Sequence, residues 1–149
     1  MYPKIALILI VAFSLLVGCS QKVEYTAQEE PENDGVFIHI TKGPSDPHEV
    51  LMALQMAVIM AEDKDVLVYF DIDGVRNVLS DSKDIAFEHF PSSHTQLTEL
   101  IKMEVPVMAC PGCLKAAGES AEDLMDGVMV ADKERFFNFT NGRILTLDY

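Results

Sequence analysis

A run of five residues that is apolar on both faces constrains the fold more than any other part of this sequence. Residues 66–70 read VLVYF, within a predicted strand over 65–72. Strands of antiparallel sheets often alternate between apolar and polar residues, whereas parallel strands are covered on both faces and read as continuous apolar runs. The run therefore predicts a buried parallel strand, and parallel strands need long crossover connections, usually helices.

Segments of strand and helix character alternate around this run, which predicts an α/β fold with a mainly parallel sheet covered on both faces. Asp46 with Pro47, and Ser93 with Gln96, have the pattern of helix starts. The last predicted helix, over 132–139, should turn Phe136 and Phe137 inward. The other predicted helices follow Asp46 and cover 93–104, 111–117 and 120–125, and the predicted strands cover 35–41, 65–72, 105–109, 127–131 and 143–147.

The amino terminus has the pattern of an export signal. One positive charge at Lys4 precedes an uncharged, largely apolar run over 5–17, and Gly18 and Cys19 follow. A charged start, a short apolar core and small residues before a cleavage point describe a secretory signal. The ending Leu-Val-Gly-Cys resembles the lipobox of bacterial lipoproteins, which implies that Cys19 carries lipid and becomes the first mature residue.

This pattern divides the chain into three parts and predicts a membrane-anchored protein of the cell envelope, with its domain outside the cytosol. Residues 20–34 are polar and acidic, which is typical of a flexible tether. The formal net charge of −13 disfavours nucleic acid as a partner, and it also disfavours contact of the folded domain with anionic lipid headgroups. The predicted parts are a lipoprotein signal peptide over 1–18, the lipid anchor and tether over 19–34, and an α/β domain over 35–149.

The remaining two of the three cysteines, Cys110 and Cys113, form an isolated C-x-x-C pair. The predicted strand over 105–109 delivers Cys110 to its carboxyl end, and Pro111 then begins a helix. Ligand sites of open α/β sheets lie at this edge. Free amides and the helix dipole stabilise a thiolate there, so the sequence predicts a reactive Cys110 with Cys113 as its partner.

Two other interpretations of the polar residues stay open. Asp71-x-Asp73 after an apolar strand matches the haloacid-dehalogenase-type phosphatase pattern, in which Asp71 would be the nucleophile and Asp73 the general acid, with Mg²⁺ between the carboxylates. Cys110 and Cys113 together with His89 or His94 offer metal ligands, but one C-x-x-C without a second is a weak zinc signal. We therefore predict neither a metal nor a cofactor.

Three local features resemble the DsrE/DsrF-like family of sulfur-relay proteins. A strand near the start of the domain leads through a loop into a long apolar helix. The next strand ends in Asp73-Gly74-Val75, and Cys110-x-x-Cys113 is followed by Gly118. The resemblance implies a three-layer α/β/α sandwich with a five-stranded sheet, assembly into trimers or hexamers, and a Cys110 that accepts sulfur as a persulfide. The family often has Arg before the late glycine, where this chain has Ala117.

These features together predict a membrane-tethered protein that uses Cys110 and Cys113 for sulfur transfer or thiol redox chemistry in the cell envelope. Its expected partners are the membrane, through the lipid on Cys19, further copies of itself, and a sulfur-donor or thiol-redox protein. The alternative is a non-catalytic oligomeric interaction module of the envelope, and the third possibility is the phosphatase.

Overall fold

The computed structural model describes residues 32–149, which contain the predicted α/β domain. The predicted signal peptide over 1–18, Cys19 and most of the tether over 19–34 lie outside the described residues. Among residues 32–149, no helix combines the length and apolar character needed to cross a membrane.

Five strands and four α-helices alternate along the described chain. Two short 3-10 turns, Gly74–Val78 and Ala121–Asp123, lie between them. The strands are β1 (Gly35–Ile40), β2 (Asp65–Phe70), β3 (Val107–Ala109), β4 (Met129–Val130) and β5 (Ile144–Asp148), and the helices are α1 (Pro47–Met60), α2 (Ser93–Lys102), α3 (Pro111–Ala117) and α4 (Lys133–Phe137).

The strands form one sheet in the order β4-β3-β2-β1-β5, and every neighbouring pair is parallel. The predicted mainly parallel five-stranded sheet is thus confirmed. Leu67 and Val68 are successive residues of β2 that point to opposite faces, and both are fully buried. This double burial is the reason that the run lacks alternation.

The helices divide unequally between the two faces. Because β1 to β4 are adjacent in chain order and right-handed crossovers are the rule, α1, α2 and α3 lie on one face. There α1 packs on β1, β2 and α2 through buried side chains such as Leu51 and Leu54. From β4 the chain crosses back over the sheet to β5, which lies beyond β1, and this crossover places α4 on the opposite face. There Phe136 meets Phe37 in an edge-to-face contact with ring centroids 5.3 Å apart.

Two local predictions were wrong. Ser93 does not cap α2: Ser92 is the N-cap residue, and the buried Ser93 hydroxyl accepts a hydrogen bond from the Ile85 amide at 2.9 Å. The His94 amide instead donates to Asp84 Oδ1 at 2.9 Å, so a carboxylate from the preceding loop satisfies this helix end. Phe137 is 65% exposed rather than inward, since the five residues of α4 turn only Phe136 onto the sheet.

Candidate thiol site

Cys110 lies where β3 becomes α3, as the sequence predicts. Its amide donates to Phe70 O of β2 at 2.8 Å, so the residue still takes part in the sheet hydrogen bonding. Its carbonyl already accepts the first bond of the helix, from the Leu114 amide at 3.0 Å. Cys110 is the N-cap residue of α3, and its sulfur accepts a hydrogen bond from the Cys113 amide at 3.4 Å. Cys110 is therefore fixed on its backbone by the sheet and on its side chain by the helix.

The seven residues of α3 hold Cys113 one turn beyond Cys110. Pro111 occupies the first turn, where its missing amide costs nothing, and Gly118 ends the helix at φ 85°. The Glu119 amide then donates to Leu114 O at 2.9 Å, which completes the helix end. Both cysteines are half-buried free thiols. Their spacing therefore places two sulfurs beside the same free helix end.

The surroundings of Cys110 favour its thiolate. Burial alone would raise the pKa of this thiol. The Tyr69 hydroxyl, the Cys113 thiol and the amides of Cys113 and Gly112 stabilise the negative sulfur, and together they lower the pKa of Cys110 below its ordinary value of 9.0. A thiolate is the attacking form of cysteine, so this shift favours the attacking form at Cys110.

The surroundings of Cys113 favour the protonated thiol. Burial raises its pKa, and the neighbouring Cys110 and Asp71 raise it further by repelling a second negative charge. The Ile72 amide faces this sulfur and acts in the opposite direction, but it does not outweigh the other groups. Ile72 itself has φ 48°, a conformation that is rare for a β-branched residue. The surroundings thus shift the pKa values of the two thiols in opposite directions although the thiols are three residues apart.

A histidine between two carboxylates lies at the same edge of the sheet. Nδ1 of His39 is 2.8 Å from Asp148 Oδ1. Nε2 lies 3.0 Å from Asp71 Oδ2, an ion-pair distance, although the ring N–H is not aligned along this contact as a hydrogen bond requires. Burial alone would lower the pKa of His39, but the two carboxylates outweigh it and raise the pKa above 6.5. Strands β1 and β5 and the residue after β2 together supply this cluster.

Aromatic rings connect this histidine cluster to Cys110. His39 and Tyr69 stack with ring centroids 5.8 Å apart, and Phe136 of α4 meets Tyr69 edge-to-face at 5.1 Å. Neither His39 nor Tyr69 was predicted as a site residue from the sequence. A signal was nevertheless present, because each is the last residue on the α4 side of a largely apolar strand, next to the edge where sites form.

A cavity of about 270 Å³ opens beside Cys113. Its lining includes one cationic residue, Arg76, as well as Ala117, the position at which the family often has Arg. The Nε atom of Arg76 donates to Asp73 Oδ1 at 2.9 Å. Arginine presents further donors beyond Nε, so the guanidinium can also face an anionic group in the cavity.

The alternative sites of the sequence analysis have different surroundings. Asp71 faces His39, whereas Asp73 pairs with Arg76, so a different cationic side chain engages each carboxylate. His94 lies on α2 with its Nε2 3.2 Å from Ser82 Oγ, and His89 stacks on Phe90. No group of three or more His, Cys, Asp or Glu residues within 32–149 is arranged to hold a metal ion.

The sequence matches the DsrE/DsrF-like family over residues 34–143, which is most of the described chain. The chain belongs to the DsrE/DsrF-like family. The resemblance predicted from the strand-end cysteine, the Asp-Gly-Val turn and the late glycine is confirmed. No curated protein matches this DsrE-family chain significantly.

Solved structures share the fold of this DsrE-family domain. The ychN protein from E. coli is 21% identical, with a TM-score of 0.60 over 78% of this chain and 100% of its own. A protein of unknown function from Methanobacterium thermoautotrophicum is 19% identical, with a TM-score of 0.54 over 77% of this chain and 99% of its own. At these identities the likeness shows only the α/β architecture. The chemistry has to be inferred from the residues of this chain.

Proposed function

We propose that this DsrE-family protein handles sulfur or redox equivalents through Cys110 and Cys113, on a domain tethered in the cell envelope by lipid on Cys19. The observation that carries the proposal is the unequal pair of thiols. Cys110 has the lowered pKa of a nucleophile and Cys113 the raised pKa of a reserve thiol, on one turn of α3. Family membership supports the same chemistry.

The reaction proceeds in two balanced steps. The Cys110 thiolate attacks a disulfide or a sulfane sulfur, forms a sulfur–sulfur bond, and releases the former partner of that sulfur as a thiolate or other anion. Cys113 then attacks the Cys110 sulfur, which closes the Cys110–Cys113 disulfide and releases the carried group as a thiol or hydrosulfide. Alternatively, a partner thiolate removes the outer sulfur and regenerates free Cys110.

Mass analysis of the reduced full chain tests the cysteine chemistry, with Cys19→Ser removing the third thiol. Incubation with polysulfide should add sulfur to this protein near pH 7 and to Cys113→Ser, but not to Cys110→Ser. The Cys113→Ser protein should keep its adduct longer, because it lacks the resolving thiol. An absence of any persulfide or disulfide, or equal labelling of both cysteines by a limiting alkylating agent, would overturn the proposal.

Cell fractionation tests the tether separately. The native chain should fractionate with membranes and carry lipid, whereas Cys19→Ser should lose the lipid and leave the membrane fraction. Cys113→Ser is the matched cysteine control and should behave like the native chain. Membrane association that survives Cys19→Ser would contradict anchoring through this residue.

The sheet face around α4 favours a second candidate function, a non-catalytic oligomeric module. Phe137 is 65% exposed, and Ile144 and Leu145 on the edge strand β5 are each more than half exposed. Exposed apolar side chains at a sheet edge are typical of protein interfaces. Sedimentation should then show a trimer or hexamer, and full cellular function of Cys110→Ser would favour this module over the thiol chemistry.

A further inference from the structure

Another cavity, of about 260 Å³, lies on the α4 side of the sheet, and aromatic rings form much of its wall. Phe136 and Phe137 of α4 line it together with Tyr69 of β2. The Phe136 ring meets Tyr69 edge-to-face at 5.1 Å and Phe137 at 5.3 Å. Phe137 remains 65% exposed, so its ring is an open wall of the cavity. Aromatic edges and faces attract other rings and apolar groups, so this lining suits an apolar occupant.

Three residues of the lining surround Cys110 along the chain and across the sheet. Pro111 is joined to Cys110 by a peptide bond. The Ala131 amide donates to the carbonyl oxygen of Ala109, the residue before Cys110, at 2.9 Å. Tyr69 of β2 pairs in register with the residue of β3 that lies two positions before Cys110. The cavity therefore borders the strand-to-helix turn that carries Cys110.

The size and charge of the cavity limit what it can hold. Pockets for drug-sized ligands have volumes of roughly 300–1,000 Å³, so a smaller cavity fits a single ring or a branched alkyl group. Asp132 also lines the cavity, and its carboxylate accepts from the Arg135 amide at 3.0 Å and lies 3.5 Å from Nε of the same arginine. Lys133 lines it too and forms no ion pair within residues 32–149. One cationic group is thus left for an acid on the occupant.

We propose that this cavity binds the apolar, acidic group of a low-molecular-weight thiol that reaches Cys110 as a disulfide, and that Phe137 and Lys133 select for this group. This inference rests on the proposed function and names its substrate class. The Cys110 thiolate attacks the sulfur that bears the group and forms a new sulfur–sulfur bond. The bond to the other half of the donor breaks, and that half leaves with the electron pair as a thiolate. Cys110 is thereby oxidised to a mixed disulfide whose group extends into the cavity.

Methanethiosulfonates test the cavity because they transfer different groups with one leaving group. The full chain carries Cys19→Ser and Cys113→Ser, so that Cys110 is its one thiol. The Cys110 thiolate attacks the sulfenyl sulfur and releases methanesulfinate, whether the transferred group is methylthio, benzylthio or 4-carboxybenzylthio. The benzyl-to-methyl rate ratio of N-acetylcysteine gives the intrinsic reactivity of the reagents. We expect the ratio for Cys110 to exceed that value by about tenfold, the scale of a small apolar pocket.

Phe137→Ala removes the open wall of the cavity. The benzyl-to-methyl ratio should fall toward the value for N-acetylcysteine, while the methyl rate should stay within about twofold. Ile144→Ala is the matched control, because Ile144 is 54% exposed on the same sheet face but does not line the cavity. Ala131→Leu fills the cavity from another wall, and it should lower the ratio even if Phe137→Ala does not fold. A ratio equal to that of N-acetylcysteine before substitution, or one that survives both substitutions, overturns the inference.

Lys133→Gln tests the charge separately. It should slow the 4-carboxybenzyl reagent by about twofold to fourfold and leave the benzyl rate unchanged, since an exposed ion pair contributes little. Lys115→Gln removes the same charge from α3, outside the cavity lining, and is the control. Equal slowing in the two variants would reflect the net charge of the chain and would overturn the assignment of the acid to Lys133.

Sedimentation of the same variants separates this occupant from a second copy of the chain. If a second copy covered Phe137, then Phe137→Ala would weaken self-association and Cys110 would show no preference for the benzyl group, which overturns the inference. Failure of Cys110 to react with the methyl reagent, or to acquire sulfur from polysulfide, would instead refute the proposed function.

Discussion

His39 of β1 and Tyr69 of β2 are register partners in the parallel sheet, and their rings stack at a centroid distance of 5.8 Å. Tyr69 lowers the pKa of Cys110, and His39 pairs with Asp71, which raises the pKa of Cys113. Two neighbouring residues therefore influence both thiols. Tyr69 acts on Cys110 directly, whereas His39 acts on Cys113 through Asp71. Substitutions at the two positions should consequently have separable effects.

Tyr69→Phe removes the hydroxyl that stabilises the Cys110 thiolate while keeping the ring. Alkylation of Cys110 near pH 7 should slow by about threefold to tenfold, and the difference should vanish at high pH, where the thiol ionises fully. The rate of iodoacetamide labelling against pH measures the effect. Phe136→Leu, which alters the ring packing without removing a hydroxyl, is the control. Equal labelling of Tyr69→Phe and the native chain near pH 7 would contradict the assigned role.

His39 should make stability depend on pH in a predictable direction. Its folded-state pKa is raised above the ordinary 6.5, so its contribution to stability is fully present below about pH 6.5 and is lost as pH rises through the folded-state pKa. The difference in unfolding free energy between the native chain and His39→Gln should therefore be larger near pH 6 than near pH 8. Urea unfolding at both values measures it. A difference that grows toward pH 8 would mean that His39 is bound as the neutral form.

Gly74 and Gly112 form a matched pair of glycines near the site. A Cβ at Gly74 would lie 2.2 Å from the carbonyl oxygen of Ile40, whereas a Cβ at Gly112 would meet only the Cys110 sulfur, at 3.9 Å. Gly74→Ala should reduce the unfolding free energy by about 1–3 kcal/mol, because backbone must move. Gly112→Ala should leave it unchanged within about 0.5 kcal/mol. Equal thermal stability of the two variants would argue against the close approach of Gly74 to the end of β1.

Substitutions at Gly118 test the end of α3, because a Cβ added there would contact no other atom. Its φ is 85°, and no atom lies within 4 Å of a Cβ built there. Gly118→Ala should therefore cost about 1 kcal/mol from the left-handed conformation alone. Gly118→Asn should cost less, since asparagine tolerates that conformation. Thermal unfolding ranks the three proteins, and an alanine variant as stable as the native chain would contradict the observed helix end.

Arg76 should select for charged sulfur donors. Its guanidinium lines the cavity beside Cys113, so Arg76→Ala should slow reaction with anionic thiosulfate by about threefold to tenfold and leave reaction with a neutral disulfide unchanged. Arg135→Ala is the control, because Arg135 also pairs with an aspartate three residues away but does not line this cavity. Equal slowing with both donors would indicate a general disturbance of the site.

The sequence predicted the strand-to-helix position of Cys110 because local signals determine it. An apolar strand, a proline and a glycine stop stand in order along the chain. The cluster of His39, Asp71 and Asp148 depends instead on the edge strand β5 pairing with β1, and the paired residues are more than one hundred positions apart. Ser93 shows the same limit on a smaller scale. Its sequence pattern predicted a capping role, but the Asp84 carboxylate of the preceding loop accepts the hydrogen bond at this helix end instead.

The main-chain bond from Cys110 to Phe70 has a consequence for recognition. A nucleophile carried on a mobile loop can swing toward each partner, but the backbone of this one is held by the central sheet. In the proposed sulfur transfer, a partner protein must therefore bring its own reactive atom to Cys110 along one fixed approach. The site then distinguishes partners by the shape of the segment that approaches Cys110 and by the surface around the thiol, including the exposed Ile72. It does not distinguish them by movement of the Cys110 backbone.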